Sequence, residues 1–485
     1  MTLRQLARGS VLYAVGQLLP RISLLILVPV YVRYMSPDEF GVMMLTVTIG
    51  SMLGILFRFG LDGAVLRIHF DLAPAERGTL YWTAAAISVL GSVAVLLVVT
   101  PLAIPSFSRI SAGTELWPYG VLAAALGFTN GLQFVPSVWF RAAEKPLRYV
   151  AYTAAVFAVT FFASLLLVVV LRFGPVGALL GWIAGGIVTI IVAASLLATM
   201  GRPRVDWILA RSSLSYGLPL IPHSLSAWVL NVSDRLLIGL LIGFPAIEAQ
   251  AAIGRYTLGY QIAYVISLLA MAAQYALSPY LFRVAGTSAG PRLHREIVTV
   301  GMAVLLALAA VEVASAPEII AILAPGDEYR ESVDVLRVVP VGACLFGLYA
   351  LVVPILLHVK RTGVLALVTT ASAVVNVAAN VALVPRIGII GAAVATVLSY
   401  GAYAGMTIAV ARRAYPLDLD GRRIGLLWGA GFVLVGAPAA MAGPSSAGAI
   451  IRASAALVFI LLAAAVAWGA ARRARVIEAG LPVER

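Results

Sequence analysis

The stretch from Trp82 to Ile104 reads WTAAAISVLGSVAVLLVVTPLAI and contains no charged side chain. A helix needs about 20 apolar residues to cross the hydrocarbon core of a bilayer, which is about 30 Å thick. Lipid offers the backbone no hydrogen-bond partners, so a single segment of this length can cross only as a helix. The stretch therefore predicts a transmembrane helix.

The same pattern recurs along the whole chain. Of its 485 residues, 62 % are hydrophobic and 11 % are charged, whereas a soluble domain has about 45–50 % and about 25 %. The sequence therefore predicts an all-α integral membrane protein with about 14 transmembrane helices. The apolar runs lie near residues 10–32, 40–57, 82–104, 116–138, 150–171, 176–199, 214–243, 253–281, 298–323, 336–357, 364–384, 388–411, 424–441 and 450–471.

The positions of the basic residues predict the orientation of these helices. Fourteen crossings put both termini on one side, and loops on the cytoplasmic side carry more Lys and Arg. With the N-terminus in the cytoplasm, 24 of the 34 basic residues fall in predicted cytoplasmic segments and 8 in predicted external ones, while Arg21 and Arg235 lie within apolar runs. We therefore expect both termini in the cytoplasm. The net charge of +13 is spread over these loops, which argues against a nucleic-acid partner.

Two short segments of the first half recur in the second. Leu6–Ser10 is similar to Leu209–Ser213, and Arg172–Ala178 is similar to Arg386–Ala392. Six helices per copy would give both copies the same orientation, related by a pseudo-twofold axis along the membrane normal, as in some transporters. A substrate site is then expected between the halves, near the bilayer midplane. The predicted organisation is an N-terminal six-helix lobe over residues 1–205, a C-terminal six-helix lobe over 206–411, and an additional helix pair with a cytoplasmic tail over 412–485.

An ordered series of short motifs resembles a known family. The stretches are Arg33–Gly41, Phe59–Arg67, Phe140–Tyr149, Tyr216–Pro222, Ser233–Arg235 and Pro385–Ala393. The chain in this respect resembles the Wzx-type polysaccharide (O-antigen) flippases, part of the MATE-like multidrug/oligosaccharidyl-lipid/polysaccharide exporter superfamily. The resemblance covers nearly the whole chain.

The resemblance implies a transporter of the bacterial cytoplasmic membrane. Such a protein would move an undecaprenyl-pyrophosphate-linked oligosaccharide from the cytoplasmic to the outer leaflet by alternating access. Its partners would be the lipid-linked substrate and membrane lipids, with a polysaccharide polymerase and a chain-length regulator as candidate protein partners. No cofactor is expected, and coupling to protons or to sodium stays open.

Arginines in or near the apolar runs are candidate contacts for the pyrophosphate. Arginine binds phosphate through planar paired donors, and an ionisable residue at membrane depth is costly and therefore a functional candidate. Arg21 lies in the middle of the first run, and the repeat places His223 at a similar depth in the second half. Arg58 and Arg141 lie near cytoplasmic helix ends, and the second helix could extend past Arg58. Each of the four could instead have a purely structural or topological role.

Other candidates are residues for gating or ion coupling. Asp234 and Arg235 lie toward the predicted external end of the seventh helix, where they could contact substrate, form a gate or pin the helix through ion pairs. Glu312 is an isolated acid within an apolar run and a candidate proton carrier. The four histidines lack metal-ligand spacing, and the single cysteine, Cys344, excludes an internal disulfide. No metal site is expected.

Two other functions compete with the flippase. A MATE-like exporter of small cationic drugs would favour acids in its cavity, whereas Arg21 indicates an anion, and the extra helix pair also favours a flippase. A membrane-embedded polysaccharide-assembly enzyme would usually carry a large external loop or a soluble catalytic domain. The chain has neither a P-loop nor a Gly-x-Ser-x-Gly motif, so no enzymatic activity is predicted.

Overall fold

A computed structural model describes residues 3–104, 107–242, 245–359, 362–443 and 445–479, apart from the side chains of residues 3–11, 14, 21, 102, 103, 110 and 362. These residues form helices and turns and no strand, which confirms the predicted all-α class. The helices are α1 Leu3–Tyr34, α2 Pro37–Arg58, α3 Leu61–His69, α4 Arg77–Ala103, α5 Phe107–Ile110, α6 Val121–Leu132, α7 Phe134–Ala142, α8 Pro146–Ser164, α9 Gly174–Thr199, α10 Trp207–Gly217, α11 Ile221–Val232, α12 Asp234–Ile242, α13 Ala246–Val284, α14 Gly290–Ala314, α15 Ala316–Leu323, α16 Ser332–His358, α17 Thr362–Ala414, α18 Gly421–Gly431, α19 Ala437–Met441 and α20 Ser446–Ala479. Several of these helices are extended by short π-helical segments, Leu116–Gly120, Leu165–Val170 and Phe432–Gly436, or by the 3₁₀ turn Leu218–Leu220.

The protein is a multi-span membrane protein. In the described part of the chain, twelve helices are long and apolar enough to cross a membrane, or thirteen if the bent segment from Trp207 to Ile242 is one span. Helix α17 has 53 residues, about 80 Å at 1.5 Å per residue, which far exceeds one crossing. Its backbone is non-helical at Ile387 and Gly388, next to the predicted boundary at 384–388. Counting its halves separately would give fourteen, and that number stays a prediction.

The chain divides into two compact units, Met1–Gly254 and Arg255–Arg485. The first unit includes α10 to α12, which the repeat assigns to the second half of the chain. The duplication and its lobe boundaries therefore stay predictions.

Small residues let α2 and α6 pack closely in the first unit. Gly50 and Gly54 are one helical turn apart on α2, and Gly127 and Gly131 have the same spacing on α6. A Cβ atom on Gly50 would lie 2.9 Å from the Cβ of Leu126, and one on Gly127 would lie 2.7 Å from the Cβ of Leu53. Glycines spaced by four residues allow such close helix contacts inside membranes, where burial of apolar surface gives no net driving force.

In the second unit, α14 and α20 are joined by ion pairs at one end. The carboxylate of Glu296 on α14 is fully buried, and Arg473 on α20 donates to its Oε2 from Nε at 3.1 Å and from Nη2 at 2.9 Å. Arg295 Nε lies 3.5 Å from Oε1, and Arg423 Nη1 lies 3.7 Å from Oε2. Three arginines from three helices therefore surround one buried acid.

At the other end of α20, the guanidinium of Arg452 is buried against α14 and α15. Its Nε donates to the carbonyl of Ala314 at 2.9 Å, and Nη1 donates to the carbonyl of Gly443 at 2.6 Å. Nη2 also forms an ion pair with Glu318. Helix α20 is thus anchored to α14 at both ends, and to α15 at the end that contains Arg452.

We expect Arg473→Leu to lower the melting temperature of the detergent-solubilised protein. Removing one partner of a fully buried ion pair costs roughly 3–5 kcal/mol. We expect about 2 kcal/mol, because Arg473 is 39 % exposed and Arg295 and Arg423 remain near Glu296. The matched control is Arg472→Leu, because Arg472 is exposed on the same helix and exposed substitutions usually change stability by less than about 0.5 kcal/mol. Equal melting temperatures for the two variants would contradict the anchoring role.

Candidate functional site

Arg58 lies where the helical backbone of the second span is interrupted. Helix α2 ends at Arg58, Phe59 adopts the left-handed conformation with φ 51°, and Gly60 follows with φ 67° before α3 begins. The left-handed region is costly for most residues and easy for glycine. The candidate span nevertheless runs from Pro37 to His69, so the span continues past Arg58 as α3, although α2 itself ends there. The break leaves the guanidinium at an interruption within the span.

The guanidinium of Arg58 makes few bonds to the protein. Nη2 donates to the backbone carbonyl of Asn130 at 3.0 Å. Nη1 lies 3.8 Å from Oδ2 of Asp62, one turn further along the span. Nε has no hydrogen-bond partner among the described residues. Nε is buried, but a guanidinium has five N–H donors, so the two Nη atoms of the 29 % exposed side chain keep donors available for a ligand.

Arg58 and Arg141 line the same cavity, which we name the arginine cavity. It has a volume of about 440 Å³ and is lined by Gly16, Gln17, Pro20, Arg58, Asp62, Gln133, Phe134, Ser137, Arg141, Tyr149 and Thr153. Arg141 Nε donates to the carbonyl of Ser137 at 3.0 Å. Nearby, the hydroxyl of Tyr13 donates to the carbonyl of Phe140 at 3.0 Å and so ties α1 to α7. The structure therefore brings together two of the predicted arginines, on two different helices.

A second cavity of about 170 Å³ adjoins the first, and Pro20 and Gln133 line both. None of its described lining residues carries a charge. Its polar lining residues are Ser23, Ser51, Thr129, Asn130, Gln133, Thr160, Trp182 and Thr189. We name it the neutral cavity. The first unit thus contains a charged compartment beside an uncharged polar one.

Arg21 belongs to α1 and follows Pro20, which lines both cavities. The side chain of Arg21 lies outside the described residues. Its predicted role as a phosphate contact therefore stays a prediction.

The other predicted residues lie away from the described walls of the arginine cavity. His223 lies in α11, half-buried, and its Nδ1 has no hydrogen-bond partner among the described residues. Asp234 and Arg235 are buried at the start of α12, directly after a 64° bend. Arg235 Nη1 donates to the carbonyl of Asn231 at 3.3 Å. The bend is at Ser233, one residue before this pair. For both residues, a role in substrate contact, in gating or in pinning the helix stays a prediction.

Glu312 lies in α14, near its end at Ala314, and is partly buried. Its Oε2 is buried and has no hydrogen-bond partner among the described residues. Its role as a proton carrier stays a prediction.

Sequence reasoning missed a cluster of buried amides and hydroxyls on α17. Asn376 Nδ2 donates to Oγ of Ser399 at 3.3 Å, and Asn380 Nδ2 donates to Oδ1 of Asn376 at 3.3 Å. Both asparagines and Ser399 are fully buried. The spacing of Ser372, Asn376 and Asn380 by four residues within an apolar run was the available signal. A search limited to ionisable residues does not find it.

The chain is similar to known proteins in sequence and in fold. The family described as "Polysaccharide biosynthesis protein" matches residues 6–285. No match was found among the curated proteins. The solved structure of lipid II flippase MurJ, in an inward closed conformation, has a TM-score of 0.74 at 10 % sequence identity, covering 94 % of this chain and 98 % of that chain.

Two MATE transporters have related folds. An inward-facing multidrug resistance MATE family transporter of the MOP superfamily has a TM-score of 0.56 at 17 % identity, covering 85 % of this chain and 94 % of that chain. The Vibrio cholerae MATE transporter VcmN in the bent form has a TM-score of 0.51 at 14 % identity, covering 85 % of this chain and 96 % of that chain. These identities establish a shared fold alone. The family match spans more than half of the sequence, and the chain therefore belongs to the polysaccharide biosynthesis protein family.

Proposed function

We propose that this protein is a flippase that moves an undecaprenyl-pyrophosphate-linked oligosaccharide from the cytoplasmic to the outer leaflet of the bacterial cytoplasmic membrane. The observation that carries the proposal is the arginine cavity, in which Arg58 and Arg141 line one polar space within membrane-spanning helices. Membership of a polysaccharide biosynthesis family and a fold shared with a lipid II flippase support it.

The chemistry of the substrate explains the need for this cavity. A pyrophosphate cannot enter hydrocarbon without compensation for its lost hydration. Two guanidinium groups supply charge and paired donors to phosphate oxygens. The partial pairing of Arg58 with Asp62 at 3.8 Å lowers the cost of holding the cation before substrate arrives. The cavity is therefore suited to an anionic head group.

The competing functions fit the cavity less well. An exporter of small cations would need a net negative lining, whereas the described lining carries two arginines and one aspartate. We also propose that the protein transports its substrate without catalysis and that both of its termini lie in the cytoplasm. Its candidate protein partners are a polysaccharide polymerase and a chain-length regulator.

The test is a deletion strain in which lipid-linked sugar is quantified in each leaflet. The intermediate should accumulate in the inner leaflet when the gene is deleted, and a plasmid copy should restore its transfer. A normal rate of appearance in the outer leaflet without this protein, in a strain with no second flippase, would remove the basis of the proposal.

Proton coupling through Glu312 gives a separate prediction. We expect Glu312→Gln to abolish stimulation of transport by a proton gradient in proteoliposomes, because glutamine cannot exchange the proton. Glu248→Gln is the control, since Glu248 is an exposed acid at the start of α13. Stimulation that persists in Glu312→Gln would assign coupling to another group or to sodium.

A further inference from the structure

The neutral cavity has the composition of a site for an uncharged, hydroxyl-rich group. The amides of Asn130 and Gln133 can each donate and accept hydrogen bonds. The hydroxyl of Thr129 donates to the carbonyl of Leu126 and can still accept from a ligand, whereas that of Ser51 already donates to Thr48 and accepts from Trp228. Trp182 and Phe157 add aromatic surface to the wall. A sugar ring presents the matching set, with hydroxyls at its edge and C–H groups on its faces. Charged ligands have no counterion among the described lining residues.

One wall group is left without a protein partner. Ser23 is 4 % exposed, and its Oγ has no hydrogen-bond partner among the described residues. Burial of an unpaired hydroxyl costs roughly 1–3 kcal/mol. Because Oγ itself is buried, a rotation about χ1 that turned it to a ligand or water in the cavity would be stabilising. The free space of about 170 Å³ far exceeds the roughly 10–15 Å³ that one buried water needs.

The position of the neutral cavity relates it to the arginine cavity. Gln133 lines both, and Asn130 lines the neutral cavity while its backbone carbonyl accepts from Arg58 at 3.0 Å. A group bound in the neutral cavity would therefore lie beside a phosphate bound by Arg58. In a lipid-linked oligosaccharide, the first sugar is bonded directly to the pyrophosphate.

We propose that the neutral cavity binds an uncharged sugar unit of the substrate, next to the pyrophosphate held in the arginine cavity. This inference rests on the proposed flippase function and adds to it the part of the substrate that α1, α2, α6, α8 and α9 would recognise. Recognition would depend on hydroxyl and amide groups rather than on charge.

The test compares two probes on the purified full-length protein in nanodiscs. One probe is the lipid-linked oligosaccharide isolated from the deletion strain, and the other is undecaprenyl pyrophosphate without sugar. We expect Asn130→Leu and Thr160→Val together to weaken binding of the first probe at least tenfold and of the second less than twofold. Losing two or more hydrogen bonds of about 0.5–1.5 kcal/mol each gives a change of this size.

The controls separate recognition from folding. Thr46→Val is the matched substitution, because Thr46 is buried on α2, donates to the carbonyl of Val42, and lines neither the neutral cavity nor the arginine cavity. It should leave both probes unaffected. Should the double variant fail to fold, Thr129→Val alone is expected to weaken only the glycosylated probe, by about three- to tenfold for one lost bond.

The outcomes distinguish this inference from the proposed function. Equal weakening of both probes, or no weakening of either, would overturn the sugar site and leave a cavity that holds only water. Failure of both probes to bind the unchanged protein would instead contradict the proposed function. Selective loss of the glycosylated probe supports both.

Discussion

Replacing Arg58 with glutamine should slow translocation of the lipid-linked sugar by about 10- to 100-fold. A hydrogen bond to a charged group contributes about 1.5–3 kcal/mol, and each 1.4 kcal/mol is about a factor of ten. Within the described residues, Arg58 forms one hydrogen bond, from Nη2 to the carbonyl of Asn130, which leaves further Nη donors for a phosphate. Glutamine keeps a polar side chain at the break between α2 and α3 but removes both the charge and the paired donors.

Two further substitutions at this cavity refine the expectation. Arg58→Lys should retain part of the rate, because lysine keeps the charge but lacks the planar paired donors. Arg141→Gln should also slow transport, because Arg141 lines the same cavity. The measurement is the initial rate of translocation in proteoliposomes that contain equal amounts of folded protein.

Arg67→Gln is the matched control for Arg58→Gln. Arg67 belongs to the same span but is exposed and pairs with Asp71 at 2.6 Å, and the described walls of the arginine cavity do not include it. It should retain the rate of the unchanged protein. If Arg58→Gln also retained that rate, Arg58 would have only the topological role expected of any arginine near a cytoplasmic helix end.

Hydropathy predicted the helices well because length and composition decide membrane insertion. The run at 82–104 is α4, Arg77–Ala103, and the boundary near 384–388 coincides with the non-helical residues Ile387 and Gly388. Helix ends were less predictable. Helix α13 begins at Ala246, several residues before the predicted run at 253–281. The run was predicted to begin later because the first turns of the helix contain the polar residues Glu248 and Gln250. A helix can continue beyond the hydrocarbon, where apolar residues are no longer required.

The site was predictable only in part. Arg58 was recognisable from its position beside a short apolar run. Its neighbour Asn130 was not, because the contact joins residues 72 positions apart and nothing in local periodicity specifies it. Glu296 was missed for a different reason. The charge rule counts cations, so an acid at a helix end carries little weight until three arginines are seen around it.

Alanine at Gly41 or Gly254 should also reduce transport at least tenfold, and it should open the predicted external end. A Cβ atom on Gly41 would lie 1.9 Å from the carbonyl oxygen of Gln250, and one on Gly254 would lie 1.9 Å from that of Pro37. No side-chain movement relieves such contacts, because both are with backbone atoms. The closed contact between the start of α2 and the start of α13 therefore requires both glycines.

A second glycine pair closes the other end of the same span. Gly60 has φ 67°, and a Cβ atom there would lie 2.1 Å from the carbonyl oxygen of Gly217, while one on Gly217 would lie 2.4 Å from that of Phe59. In the proposed alternating access, one of these contacts would open while the other is closed. We therefore expect Gly41→Ala and Gly217→Ala to shift the protein in opposite directions, with each variant favouring the state that releases its own contact.

The direction of each shift can be measured with a single reporter cysteine. Ser137→Cys places a thiol on the wall of the arginine cavity, in a background where the buried Cys344 is replaced by alanine. A membrane-impermeant maleimide should label Ser137→Cys faster from the external side when Gly41 is alanine, and faster from the cytoplasmic side when Gly217 is alanine. Both effects follow from the predicted orientation, with Gly41 external.

Gly405→Ala is the control for both glycine pairs. It is a helical glycine of α17, and a Cβ atom there would meet no heavy atom within 4 Å. Alanine favours the helix by about 1 kcal/mol over glycine, so this variant should keep its transport rate and its labelling pattern and should not lose stability. If Gly41→Ala and Gly217→Ala labelled from the same side, or matched Gly405→Ala, the two contacts would be static packing rather than alternating gates. Opposite labelling would show that the ends of one span, from Pro37 to His69, control access to the cavity that contains Arg58.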